Sequence, residues 1–117
     1  MLYLKINPKP ITLFQFKRII MKNKVNVAIQ ILPTAENIHS YKIIDAAIQV
    51  IQESGIKFMV CPFETVLEGD YDQIMELIKK VQVNCFENGA SEILTNLKIH
   101  SRINQDVTIE EKMEKYG

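Results

Sequence analysis

From Lys24 to Leu32 the chain alternates. Val25, Val27, Ile29 and Ile31 fall on one side, and Asn26, Ala28 and Gln30 on the other. A period of two predicts a strand with one buried and one open face. Pro33 has no backbone N–H to give to a ladder and is expected to end the strand. After the polar stretch Thr34 to Asn37 the period lengthens. Ile43, Ile44, Ala47, Val50 and Ile51 recur at helical spacing, which predicts a helix from about Ile38 to Ser54. Asn37 or Ser40 is placed to cap its start, and Gly55 suits the left-handed residue after its last turn.

The pattern then shortens again. Lys57 to Pro62 and Thr65 to Glu68 read as two short strands joined by a tight corner at Pro62-Phe63-Glu64, a hairpin signal. Asp70 is placed to cap a second helix, with Gln73 positioned for a capping box. Ile74, Leu77, Ile78, Val81 and Cys85 supply its apolar stripe, and Asn88-Gly89 its stop. Ser91 to Ser101 alternates once more, with Ile93, Thr95, Leu97 and Ile99 against Leu94, Asn96, Lys98 and His100. Thr108-Ile109-Glu110-Glu111 has the form of a capping box for a short charged helix. The resulting order of strand, helix, strand, strand, helix, strand predicts an α+β, ferredoxin-like βαββαβ domain. In it, two helices cover one face of a four-stranded antiparallel sheet. The opposite face is expected to carry Ala28, Gln30, Asn96 and Lys98.

Composition narrows the class. The chain has 117 residues, 47% hydrophobic and 24% charged, which suits one folded domain and excludes wholesale disorder. Fourteen basic side chains balance 14 acidic ones, but unevenly. Residues 1–20 hold Lys5, Lys9, Lys17 and Arg18 and no acid, which leaves residues 21–117 at −4. An acidic domain argues against nucleic acid as a partner. No apolar run approaches the roughly 18 residues of a membrane span. Residues 1–20 are interrupted by Pro8 and Pro10 and lack a cleavage signal, so they read as a basic extension outside the fold. Met21-Lys22-Asn23-Lys24 resembles a start of its own, and residues 21–117 form the expected domain. Cys61 and Cys85 are too few for a disulfide framework and too far apart for a metal motif. They read as small hydrophobes in a reducing cytoplasm, with a redox pair as the alternative.

Candidate chemistry concentrates at the hairpin. Glu68, near a strand end, offers a carboxylate for a cationic ligand or an aminopyrimidine; the plain alternative is an exposed acid before a turn. Lys98 and Arg102 can bind a phosphate or carboxylate, or pair with Glu92, Asp106, Glu110, Glu111 and Glu114. The polar sheet face can be solvated, a dimer surface or a ligand platform. His39 and His100 lack partners at metal-ligand spacing, and no nucleophile or phosphate-loop motif is present. No cofactor and no metal are expected, and an enzyme would need Cys61 or Glu68 to act without an activating partner.

Four stretches bring a family into view: Ser40-Tyr41 at the first helix start, Glu53 to Lys57, the hairpin Pro62 to Asp70, and Gly89-Ala90 with Leu97-Lys98-Ile99 and Arg102. Across residues 24 to about 115 the chain resembles the small thiamine-binding-protein family, single-domain relatives of the YkoF-like proteins. Glu64 departs from that family's pattern, which has glycine there. The resemblance implies a non-enzymatic binder of thiamine or its hydroxymethylpyrimidine part. It also implies a homodimer through the sheets that often doubles to a homotetramer. Thiamine joins a thiazolium cation to an aminopyrimidine, which suits the acidic domain. On that reading Glu68 meets either part, Gln30, Thr65 and Asn96 supply neutral hydrogen bonds, and Lys98 is a further ligand-binding residue. Tyr41, Phe63 or Tyr71 stacks on a ring. The alternative is a structural or regulatory oligomerisation module in which Glu68 and Lys98 form inter-subunit pairs.

Overall fold

A computed structural model describes residues 10–13 and 22–117. The expected extension over residues 1–20 lies outside the described residues except for 10–13, which are exposed. The elements are β1 (Val25–Thr34), α1 (Ser40–Glu53), β2 (Lys57–Val60), β3 (Thr65–Gly69), α2 (Tyr71–Glu87), β4 (Glu92–His100) and α3 (Ile109–Met113). A turn of 3-10 helix, Glu114–Tyr116, follows α3. The strands form one antiparallel sheet in the order β2-β3-β1-β4. With α1 and α2 on one face, this is the ferredoxin-like βαββαβ arrangement.

The two hydrophobic periods meet in the core. Val25, Val27, Ile29 and Leu67 from the sheet are buried against Ile43, Ala47 and Ile51 of α1. Ile74, Leu77, Ile78, Val81 and Cys85 of α2 close the other side. Each such aliphatic side chain contributes roughly 1.5–3 kcal/mol by leaving water. Burial pushes the Cys85 thiol pKa up and keeps it neutral. Gly55 takes φ +78° after α1, a conformation that strains residues carrying a Cβ.

Three boundaries differ from the sequence pattern. β1 does not stop at Pro33 but pairs on through Pro33↔Ile93 and Thr34↔Glu92. The Thr34 carbonyl faces β4, where it accepts the Ser91 N–H at 2.8 Å. By alternation Pro33 turns its missing donor to the other edge, where β3 has already ended opposite Ile29. The cap of α1 is His39 rather than Asn37 or Ser40: its backbone is extended, and its ring Nδ1 accepts the Tyr41 N–H at 3.2 Å. β2 ends at Val60, because the chain bends at Cys61, whose N–H is held by the Glu64 carbonyl at 2.9 Å. Asp70 does cap α2, accepting the Gln73 N–H at 3.0 Å.

The second face of the sheet is not wholly open. The segment after β4 turns back at Asn104, which has φ +65°, and buries Val107 and Ile109. Asn26, read as part of the open face, is covered there and donates to the Val107 carbonyl at 3.0 Å. Thr108 and Glu111 complete the predicted capping box of α3. Arg102 holds Glu111 at 2.7 Å and donates to the Asp106 carbonyl at 3.1 Å.

Candidate functional site

β1 outruns β3 by several residues, and α1 begins just beyond. The gap between them is closed at the bottom by the core and at the side by the hairpin corner. This leaves a cavity of about 170 Å³. Ile31, Ile44, Ile48 and Val60 make its wall apolar, while Gln30, Thr65 and Glu64 bring polar atoms to it. Tyr41 and Phe63 also line it, yet they remain 69% and 83% exposed. Aromatic rings left that bare beside an apolar hollow offer faces on which a flat ligand ring can stack.

A second, wider hollow of about 520 Å³ lies on the open sheet face. Ala28 and Val66 form its floor, and Lys98, His100 and Lys112 stand around it. The two hollows share the corner Cys61, Pro62, Phe63 and Glu64 as a common wall. At that wall Glu64 and Lys98 form an ion pair of 2.6 Å, with side chains 23% and 78% exposed.

The expected site residues therefore separate into groups. Gln30, Tyr41, Phe63 and Thr65 line the first cavity. Asn96 joins them indirectly by donating to the Gln30 side chain at 3.1 Å. Lys98 belongs to the second cavity and pairs with Glu64 rather than with the C-terminal acids. Glu68 stands apart. It is only 7% exposed, and its Oε1 accepts from the Ile109 backbone N–H and the Asn26 amide. Its Oε2 lies 3.4 Å from Lys57. Desolvation raises the Glu68 pKa, but these donors outweigh it and hold the carboxyl below its ordinary value. Tyr71 is likewise remote, packed against the core. The carboxylate that does reach the cavity is Glu64, the residue whose departure from the family pattern predicts a changed corner or an added negative charge beside the pocket. Ile44 belongs to the helical stripe already read for α1, and Tyr41 and Ile48, three residues before it and four after, were legible beside it by the same spacing.

No described helix is long and apolar enough to cross a membrane. Among the described residues no cluster of three or more His, Cys, Asp or Glu is disposed to hold a metal ion.

Fold and cavities define a ferredoxin-like domain with a ring-sized apolar hollow at a strand end. Residues 27–117 match the family model described as thiamine-binding protein, and the chain belongs to that family. A UPF0045 protein of Clostridium perfringens (strain 13 / Type A) is 41% identical over 91 residues, covering 78% of this chain and 95% of the relative. The solved structure of a domain of unknown function, DUF77, from Bacillus cereus superposes with a TM-score of 0.79 at 38% identity, over 81% of this chain and 91% of that one. A Thermotoga maritima structure, named as a candidate thiamine biosynthesis/salvage protein, gives 0.71 at 32% identity, over 80% and 99%.

Proposed function

We propose that this protein binds thiamine or its hydroxymethylpyrimidine part, without reacting with it, as a cytoplasmic homo-oligomer that pairs through its sheets. The observation that carries this reading is the cavity beside β1. Its volume of about 170 Å³ matches one six-membered ring, since a hollow of roughly 150 Å³ accommodates benzene. Its chemistry matches an aminopyrimidine. Gln30 and Thr65 offer donors and acceptors for ring nitrogens and the amino group, and Tyr41 and Phe63 offer stacking faces. Glu64 supplies the negative charge that a thiazolium attracts. Membership of the family, and the name of the Thermotoga maritima neighbour, support the same ligand class.

The sheet pairing is supported by Leu32 and Leu94, which face each other across β1 and β4 and stay 47% and 58% exposed. Exposed aliphatics side by side favour burial against a second surface.

Isothermal titration of the full chain with thiamine and with hydroxymethylpyrimidine tests the binding. Saturable heat with at least one is expected, and none with either, for folded protein, overturns it. Light scattering is expected to give at least a dimer. NMR of the ligand after prolonged incubation is expected to show it unchanged, and any product overturns the non-enzymatic reading.

A further inference from the structure

We propose that the hollow on the open sheet face, which lies around Ala28 and Lys98 and four residues along β1 from the Leu32–Leu94 pair offered for sheet pairing, is a second compartment of the same site and takes an anionic group of the ligand, a phosphate ester above all. The inference rests on the thiamine reading of the first cavity.

Charge is the first argument. The domain is acidic, at −4 over residues 21–117, yet this hollow is lined by Lys98, His100 and Lys112 with Glu64 as its one carboxylate. The Lys112 side chain makes no ion pair with the described residues, whose pairs are Lys57–Glu68, Lys98–Glu64 and Arg102–Glu111. Glu111 is already engaged, because Arg102 donates to both oxygens of that carboxylate, at 2.7 and 2.9 Å. Two lysines around one hollow, with the His100 ring beside them as a hydrogen-bond donor, favour an anion, and phosphate oxygens accept strongly from ammonium groups.

Continuity is the second argument. The corner Cys61 to Glu64 walls both hollows, and the Glu64–Lys98 pair stands at that wall. A neutral ring in the first cavity leaves the pair intact. A cationic ring competes with Lys98 for Glu64, which releases Lys98 beside the second hollow. A phosphate on the same molecule then replaces the lost partner. In phosphorylated thiamine the order along the molecule is neutral pyrimidine, thiazolium cation, phosphate. Along the protein the order is first cavity, Glu64, then Lys98 with Lys112. The two sequences correspond, so the ester satisfies both members of the broken ion pair where thiamine alone satisfies one.

The test is isothermal titration of the full chain, in low salt, with thiamine and with thiamine monophosphate. The monophosphate is expected to bind about tenfold tighter, the scale of one added charge-assisted contact, and added salt narrows the gap. Lys112→Met is expected to erase most of the preference while thiamine affinity stays within about twofold. Lys98→Met is expected to weaken the ester and strengthen thiamine, because Glu64 is then free. Melting temperature and light scattering show that the variants keep fold and assembly. Equal or weaker binding of the ester by the parent protein, or a preference that survives both substitutions, overturns the inference while thiamine binding stands. Absence of binding by either compound overturns the reading of the first cavity and this inference with it.

Discussion

The Glu68 carboxylate accepts the backbone N–H of Ile109, 41 residues further on, and so fastens the first turn of α3 to β3. Lys57 and Asn26 hold the same carboxylate from either side. The negative charge also faces the N-terminal end of α3, where the peptide dipoles favour it. This arrangement makes Glu68 the anchor of the C-terminal segment, which covers Asn26 and buries Val107 and Ile109 on the sheet.

Glu68→Ala is expected to cost about 2–3 kcal/mol, because it strands a buried N–H and a buried amide. Chemical denaturation measures the loss. Thiamine affinity is expected to stay within about twofold when measured below the melting temperature. A large loss of affinity with little loss of stability would place Glu68 at the ligand after all.

The same carboxyl sets an acid limit. Its pKa in the fold lies below the ordinary 4.5, so its contribution is present above the unfolded value and is lost as pH falls through the folded one. Melting temperatures of the parent and of Glu68→Gln are expected to differ at pH 6 and to converge as the pH falls below 4.5 and through the lowered folded value. Exchange protection of the Ile109 amide is expected to fall over the same interval.

Phe63→Ala and Tyr41→Ala probe the cavity mouth. Both side chains are mostly exposed, so each substitution is expected to change stability by no more than about 0.5 kcal/mol. Each removes a stacking face worth about 1 kcal/mol, which predicts roughly fivefold weaker thiamine binding by titration.

Glu111 serves two partners, the Arg102 guanidinium and the Thr108 backbone N–H. Arg102→Ala removes the first and is expected to cost little, as for other exposed pairs. Glu111→Ala removes the capping arm as well and is expected to cost more. Denaturation of the two variants side by side gives the ranking, and the reverse order would contradict it.

His39→Ala removes the acceptor for the Tyr41 N–H and is expected to destabilise the protein by about 0.5–1 kcal/mol. His39→Asp, a stronger cap, is expected to restore or exceed the parent stability in thermal melts.

Hydrophobic periodicity was enough to reveal the architecture. The alternation of Val25, Val27 and Ile29 and the stripes of α1 and α2 each name a buried face, and two helices and four strands of those lengths bury them together in few ways. The capping box at Thr108 and the turn at Gly55 were equally legible, since both depend on neighbours a few residues away. What lay beyond the sequence pattern depended on contacts distant along the chain. Pro33 continues β1 because β3 stops short of it, and nothing near Pro33 in sequence records that. That Glu68 is held by Asn26 and Ile109 was not legible locally, because both partners lie more than 40 residues away, one on either side. Glu64 and Lys98 meet only because the hairpin corner and β4 converge over β1. Local periodicity determines which faces must leave water; which polar groups share the resulting hollows is decided by the register and length of strands far apart in the chain, and only the folded molecule holds that information.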